Sequence, residues 1–154
     1  LNAGASYGIQ PIGLAARDSL RLEAGMALYG HEIHAETNAI AAGLNWAVSY
    51  KKGDFIGRDA TLKAKFEGTD YALVGLRMIE KGVPREHYDI AHDGELIGRT
   101  ASGGYAPTLD TFIATAFVQP AFAQLGTEID ILMRGQPRKA VVVALPFYEP
   151  RYRR

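Results

Sequence analysis

The chain contains no cysteine, which excludes a disulfide framework, a thiolate nucleophile and any Cys-rich zinc or iron–sulfur site. It also lacks net charge. Seventeen Lys and Arg offset seventeen Asp and Glu, so no global field points to nucleic acid or to an anionic membrane surface, and any anion recognition has to be local. No apolar run approaches the ~18 residues of a membrane span, and the segment from Leu1 has neither the charged nor the apolar region of a signal peptide. Phosphate-cradling patterns are missing as well: Ser102-Gly103-Gly104-Tyr105 fits neither Gly-x-Gly-x-x-Gly nor a Walker pattern and reads as a turn between strands. There is no internal repeat and no low-complexity segment. A cysteine-free chain favours a reducing compartment, and a sequence opening at Leu1 without methionine is expected of a fragment.

What is present is an ordinary globular composition: 154 residues, 47% hydrophobic and 22% charged, enough for one domain or a small domain with an appendage. Between Leu14 and Leu28 the apolar positions Ala16, Leu20, Ala24 and Leu28 recur every four residues, which predicts a helix with that stripe facing inward and Asp18 near its start. Asp59 to Phe66 reads as a second helix, entered after Gly57 and stopped near Gly68, with Leu62 and Phe66 on one side. From Tyr71 the pattern changes to short β-prone runs: YALVGLRMI, YDIAH, ELIGRTA, FIATAFV, EIDILMR and KAVVVALPFY, separated by turn signals. Asp93-Gly94 predicts a two-residue hairpin, because a type I′ turn needs positive φ at both central positions. Gly135 to Pro137 is a second candidate turn. The fold class is α+β: a mostly helical lead over residues 1–69, then an antiparallel barrel or sandwich of about six strands over residues 70–154, with the boundary in Glu67 to Asp70.

Few residues suggest chemistry. His31 and His34 lie three apart around Glu32, whereas a zincin pair needs histidines four apart with a glutamate after the first; a polar surface loop is the better reading, and no metal is expected. Ser19 and Ser102 carry no nucleophile motif. The arginines are more informative. Arg17 and Arg21 lie one helical turn apart, and Asp18 can reach Arg21 at i,i+3, so each arginine is either half of a surface ion pair or a guanidinium free to hold an anion bidentately. The same choice applies to Arg151-Tyr152-Arg153-Arg154, a frayed basic tail or a lid touching a ligand.

Longer motifs resolve part of this. GLAARDSLRLEAG at 13–25, LYGHEI at 28–33, GDFIGRDATLKAK at 53–65, GELIGRTASGGYAPTL at 94–109 and LPFYEPRYRR at the end resemble, in order and spacing, the C-terminal part of the aminomethyltransferase family, which includes the T-protein of the glycine cleavage system. The resemblance covers almost the whole chain. It implies that residues 1–69 are the C-terminal end of a folate-binding domain plus connecting helices, and that residues 70–154 are a β-barrel. It further implies transfer of a one-carbon unit from the aminomethyl-lipoyl arm of H-protein to tetrahydrofolate, with release of ammonia and no metal or redox cofactor. The folate amine attacks the methylene carbon as the amine leaves, with a carboxylate organising the protons.

Carried over residue by residue, the resemblance makes Arg17 a folate contact and Tyr152 and Arg154 candidates beside it, while Arg21, Asp18 and Glu23 remain helix-surface or interdomain polar pairs. The family aspartate that catalyses and the glutamate that grips the pterin fall in upstream segments outside this chain, so no catalytic residue is assigned and the isolated chain is expected to be inactive. Ala15 and His87 stand where the family commonly has glycine. The expected partners are lipoylated H-protein and the N-terminal domains of the same enzyme, in the cytoplasm of a bacterium or the mitochondrial matrix of a eukaryote. The alternatives are the folate-binding portion of a sarcosine or dimethylglycine dehydrogenase or a related demethylase, and a non-catalytic β-barrel accessory domain. A folate-using iron–sulfur assembly protein would carry a Lys-Gly-Cys-Tyr-like motif, which a chain without cysteine lacks.

Overall fold

In the computed structural model of the protein, which describes residues 1–149, helix α1 spans Leu14–Glu23 and helix α2 spans Arg58–Glu67. Gly13 enters α1 in an extended conformation, and the helix stops where Gly25 takes φ +64°. The Gly25 N–H donates to the Leu22 carbonyl and the Met26 N–H to that of Arg21, at 2.9 and 2.8 Å. These two bonds satisfy carbonyls that a helix end leaves orphaned, and only glycine adopts the required left-handed turn cheaply. Helix α1 therefore ends five residues before Leu28, shorter than the apolar spacing predicts. Ala15 lies within its first turn, where alanine is a better helix former than glycine. Helix α2 is bracketed by Gly57 and Gly68, both at positive φ, as the sequence predicts. No described helix is long and apolar enough to cross a membrane.

Six strands follow: β1 Ala72–Met78, β2 Asp89–His92, β3 Glu95–Ala106, β4 Thr111–Val118, β5 Glu128–Met133 and β6 Gln136–Val143. All pair antiparallel and close into a barrel in the order β1-β4-β3-β2-β5-β6. The α+β class and the six-stranded barrel agree with expectation. Asp93 and Gly94 both take positive φ between β2 and β3; Arg134 and Gly135 do the same between β5 and β6, one residue earlier than the turn placed at Gly135 to Pro137. The last strand stops at Val143 instead of running on to Tyr148.

Alternation fills the barrel. Val74, Leu76, Met78, Ala114, Ala116, Val118, Ile129, Ile131, Ala140 and Val142 point inward with Ile90 and Ile97, as period-2 pairing of one buried face requires. Strand β4 is the exception that locates the lead segment. Its outward residues Ile113 and Thr115 are also buried, Ile113 in a second small cluster with Leu22 of α1 and Ala106. A strand covered on both faces reads as a continuous apolar run, which explains FIATAFV.

Strand β3 corrects the expected turn at Ser102-Gly103-Gly104-Tyr105, because those residues lie inside the strand. Their glycines serve close approach. A Cβ on Gly103 would lie 2.7 Å from the Pro84 carbonyl oxygen, so the segment before β2 lies directly on the strand there. A bulge at Ala101 shifts the register, so that Thr100 faces Ala116 while Ser102 faces Thr115. One extra residue re-aims the following side chain to the opposite face. Ser102 thereby points out of the barrel, beside Thr115 and toward α1.

Candidate functional site

The inward face of α1 carries Leu22 between two charged residues, Arg21 and Glu23, where the sequence predicts an apolar stripe through Ala16, Leu20 and Ala24. Leu22 and Glu23 are buried, and Leu20 is 59% exposed. Long-range partners explain the inversion. Glu23 accepts from the Thr108 N–H and from its hydroxyl, both at 2.7 Å, which ties the end of α1 to the β3–β4 turn. The Glu23 carbonyl also accepts from the Phe147 N–H at 3.1 Å.

Arg21 is the second tie. Its Nη1 donates to both carboxylate oxygens of Glu32, at 3.2 and 3.1 Å, and its Nη2 donates to Ser102 Oγ at 2.9 Å. Nε donates to Asp18 Oδ1 at 2.7 Å, with Nη2 equally close to that oxygen. All three guanidinium nitrogens are thus engaged, and the fork geometry of arginine is used in full.

Glu32 is 1% exposed, which corrects the reading of residues 31 to 34 as a surface loop. Besides Arg21 it accepts from the Leu28 N–H at 2.9 Å and from the Thr115 hydroxyl in a short bond. Burial opposes its charge more than any single contact favours it. The hydroxyls of Ser102 and Thr115, the Leu28 N–H and the Arg21 guanidinium together still hold its carboxyl below the usual carboxylate range. Ser102 accepts from Arg21, which places its hydroxyl at the edge of the Arg21–Glu32 pair. His31 Nδ1 lies 3.1 Å from both the Ala101 carbonyl oxygen and Glu86 Oε2, and His34 Nε2 lies 3.0 Å from the His31 carbonyl oxygen. The histidines thus contact backbone and a half-exposed carboxylate. Among the described residues no group of three or more His, Cys, Asp or Glu is placed to hold a metal ion.

Arg17 contrasts with Arg21. It is exposed, and among the described residues it makes no hydrogen bond or ion pair. Near it in the chain Ile12, Leu14 and Leu20 are 71%, 80% and 59% exposed, so a guanidinium that no described residue engages stands on an apolar ledge. That arrangement can present a bidentate donor to an anionic or carbonyl-bearing ligand, with apolar contact beside it. It is one wall and encloses nothing. A cleft of about 370 Å³ lined by Glu36, Asn38, Asp70, Tyr71 and Phe117 lies elsewhere and does not include Arg17. Tyr152 and Arg154 lie outside the described residues, so their relation to Arg17 is undefined.

Sequence spacing brings Arg17 and Arg21 to one helix but does not separate their roles, because the residues that engage Arg21 come from Glu32 and from the bulged strand. The signal for Thr115 was available: it is the one hydroxyl in an otherwise apolar stretch of a strand with no alternation. Ser102 gave none, since its outward aim depends on the bulge.

Comparison with known proteins covers the chain from end to end. The profile of the glycine cleavage T-protein C-terminal barrel domain matches residues 72–149, and that of the GCVT N-terminal domain matches residues 1–52. The chain is 48% identical over 155 residues to an aminomethyltransferase of Symbiobacterium thermophilum, covering 100% of this chain and 41% of that protein. It is 47% identical over 160 residues to a probable aminomethyltransferase of Thermococcus kodakarensis, covering 98% and 40%. The crystal structure of glycine cleavage system aminomethyltransferase T from Bartonella henselae superposes with a TM-score of 0.86 at 39% identity, over 92% of this chain and 40% of that one. The chain spans about two-fifths of the length of the curated relatives it matches. With a barrel profile over half its length and an α1 ledge in the stretch matched by the second profile, the chain belongs to the aminomethyltransferase (glycine cleavage T-protein) family and represents its C-terminal part.

Proposed function

We propose that the protein to which this chain belongs is a tetrahydrofolate-dependent aminomethyltransferase of a glycine cleavage system. In this reading it takes a one-carbon unit from the aminomethyl-lipoyl arm of H-protein, passes it to tetrahydrofolate and releases ammonia. The observation that carries the reading is the joint likeness in sequence and fold, over 92% of the chain, to a glycine cleavage system aminomethyltransferase. The chain's own contribution is structural and recognitional. In this reading residues 70–154 are assigned to the barrel domain and residues 1–69 to the end of the folate-binding domain. Arg17 contacts tetrahydrofolate, whose carbonyl and carboxylate oxygens suit a guanidinium whose donors no described residue engages. Tyr152 and Arg154 are further candidates, since a phenol and a second guanidinium can each donate to such oxygens.

The carboxylates of this chain fit the catalytic role poorly. Asp18 is bonded to Arg21, and Asp59 is 98% exposed beside Arg58. The isolated 154-residue chain is therefore inactive in this reading, and the reaction needs the upstream domains, which also complete the folate pocket. The enzyme works in the cytoplasm, as befits relatives from bacteria and archaea. The test is an assay of the full-length protein with aminomethylated H-protein and tetrahydrofolate. Ammonia and 5,10-methylene-tetrahydrofolate formed in equal amounts support the reading; no turnover with pure, folded components removes it.

A further inference from the structure

The N-terminal half of α1 has little to hold it. From Leu14 to Asp18 the side chains are exposed except for half-buried Ala16, and the described bonds that fasten the helix to the barrel begin at Arg21. Arg17 precedes Arg21 by one turn, about 6 Å along the axis, so it projects from an anchor instead of sitting in one. The anchor is built from three distant parts of the chain. Glu32 comes from the loop after α1, while Ser102 and Thr115 are cross-strand partners on β3 and β4, both turned outward. A short helix pivots as a body, so where Arg21 is held decides where Arg17 points.

We propose that Glu32, acting through Arg21 and supported by Ser102 and Thr115, is a positioning residue that sets the Arg17 guanidinium for tetrahydrofolate. This inference rests on the proposed contact between Arg17 and tetrahydrofolate. Glu32 itself is 1% exposed and cannot touch the ligand. Its carboxylate instead fixes the azimuth of α1 by a two-oxygen grip on Nη1, and the Leu28 N–H fixes the carboxylate in turn. Replacing it by an amide keeps the shape and removes the charge, which loosens the grip without emptying the space.

The experiment is a double-mutant cycle in the full-length protein, with tetrahydrofolate affinity measured by titration calorimetry on wild type, Arg17→Ala, Glu32→Gln and the double variant, all at a temperature where each is fully folded. Each single change is expected to weaken tetrahydrofolate about tenfold. The double variant is expected to be no weaker than Arg17→Ala alone, because a residue that acts through Arg17 has nothing left to act on. A merely structural Glu32 gives either wild-type affinity as a single variant or losses that multiply to about a hundredfold in the double; either result overturns the inference. Where Glu32→Gln yields too little folded protein, Thr115→Val takes its place in the same cycle with the same expectation. Wild-type affinity in Arg17→Ala removes the contact on which the inference rests, and no tetrahydrofolate binding by the wild type removes the functional reading itself.

Discussion

Arg17 and Arg21 stand one turn apart on the same helix and do opposite things. Arg21 spends its guanidinium on Asp18, Glu32 and Ser102, whereas Arg17 engages no described residue. The difference predicts separable phenotypes. Arg17→Ala leaves thermal stability within a degree or two of wild type, since exposed substitutions usually cost under about 0.5 kcal/mol, while tetrahydrofolate affinity of the full-length protein falls about tenfold or more. Arg21→Ala strands a buried carboxylate and costs about 3–5 kcal/mol in chemical denaturation. Equal stability losses in the two variants contradict the assignment.

The low folded-state pKa of Glu32 has a definite sign in stability. The unfolded carboxyl binds its proton near the ordinary value of 4.5, and the folded one only at lower pH. Between those values the unfolded chain holds more protons, so the Glu32 contribution is complete above pH 4.5 and is lost as pH falls through the folded value. The stability gap between wild type and Glu32→Gln, measured by urea unfolding, is therefore expected to be largest at neutral pH and to shrink steadily in acid. A gap independent of pH rules this out.

Gly98 predicts a purely steric failure. A Cβ there would lie 2.1 Å from the Phe117 carbonyl oxygen and 2.8 Å from Val118 Cα, both backbone of the neighbouring strand. Since β3 and β4 cannot part without breaking the barrel, Gly98→Ala is expected to cost about 2–4 kcal/mol. Gly104, on the same strand with open space at its Cβ, is the control. Gly104→Ala is expected to lie within about 1 kcal/mol of wild type.

Glu23 and Thr108 predict a smaller effect. Thr108→Val removes one of two bonds to a buried carboxylate and leaves the backbone N–H in place, so the loss is expected to be about 1.5–3 kcal/mol, typical of a charged hydrogen bond. Thr61 on α2 bonds only its own helix turn, and Thr61→Val in the same assay is expected to cost less.

What the sequence made legible follows from locality. Asp93-Gly94 demanded positive φ, and Gly57 and Gly68 bracketed α2; each signal lies within a few residues of what it specifies. The buried face of α1 was illegible for the converse reason. Beside Leu22 its inward positions hold Arg21 and Glu23, whose barrel partners Ser102 and Thr108 lie 81 and 85 residues away, and no periodicity of apolar residues marks a buried charge. Ser102-Gly103-Gly104 misled in a different way, because glycine marks both turns and places where backbone passes close, and only the packed segment at Pro84 tells which. Family resemblance singled out Arg17 but could not show that its neighbour one turn on is an anchor. His87, where the family commonly has glycine, takes φ 63°, so the loop keeps a left-handed turn without the residue that adopts it freely.

The barrel order carries a consequence for how the chain acquires its shape. Strand β1 is synthesised before the other five strands of the barrel, yet its two neighbours are β4 and β6. Until residues 111–118 and 136–143 have emerged, β1 has unpaired flanks on both sides, and contacts of such long sequence separation form slowly. An emerging chain thus holds an exposed apolar strand for most of the time its barrel is being made, a period in which chaperone capture or edge-to-edge aggregation competes with closure. Folding yield during translation is therefore governed by the arrival of the last strand.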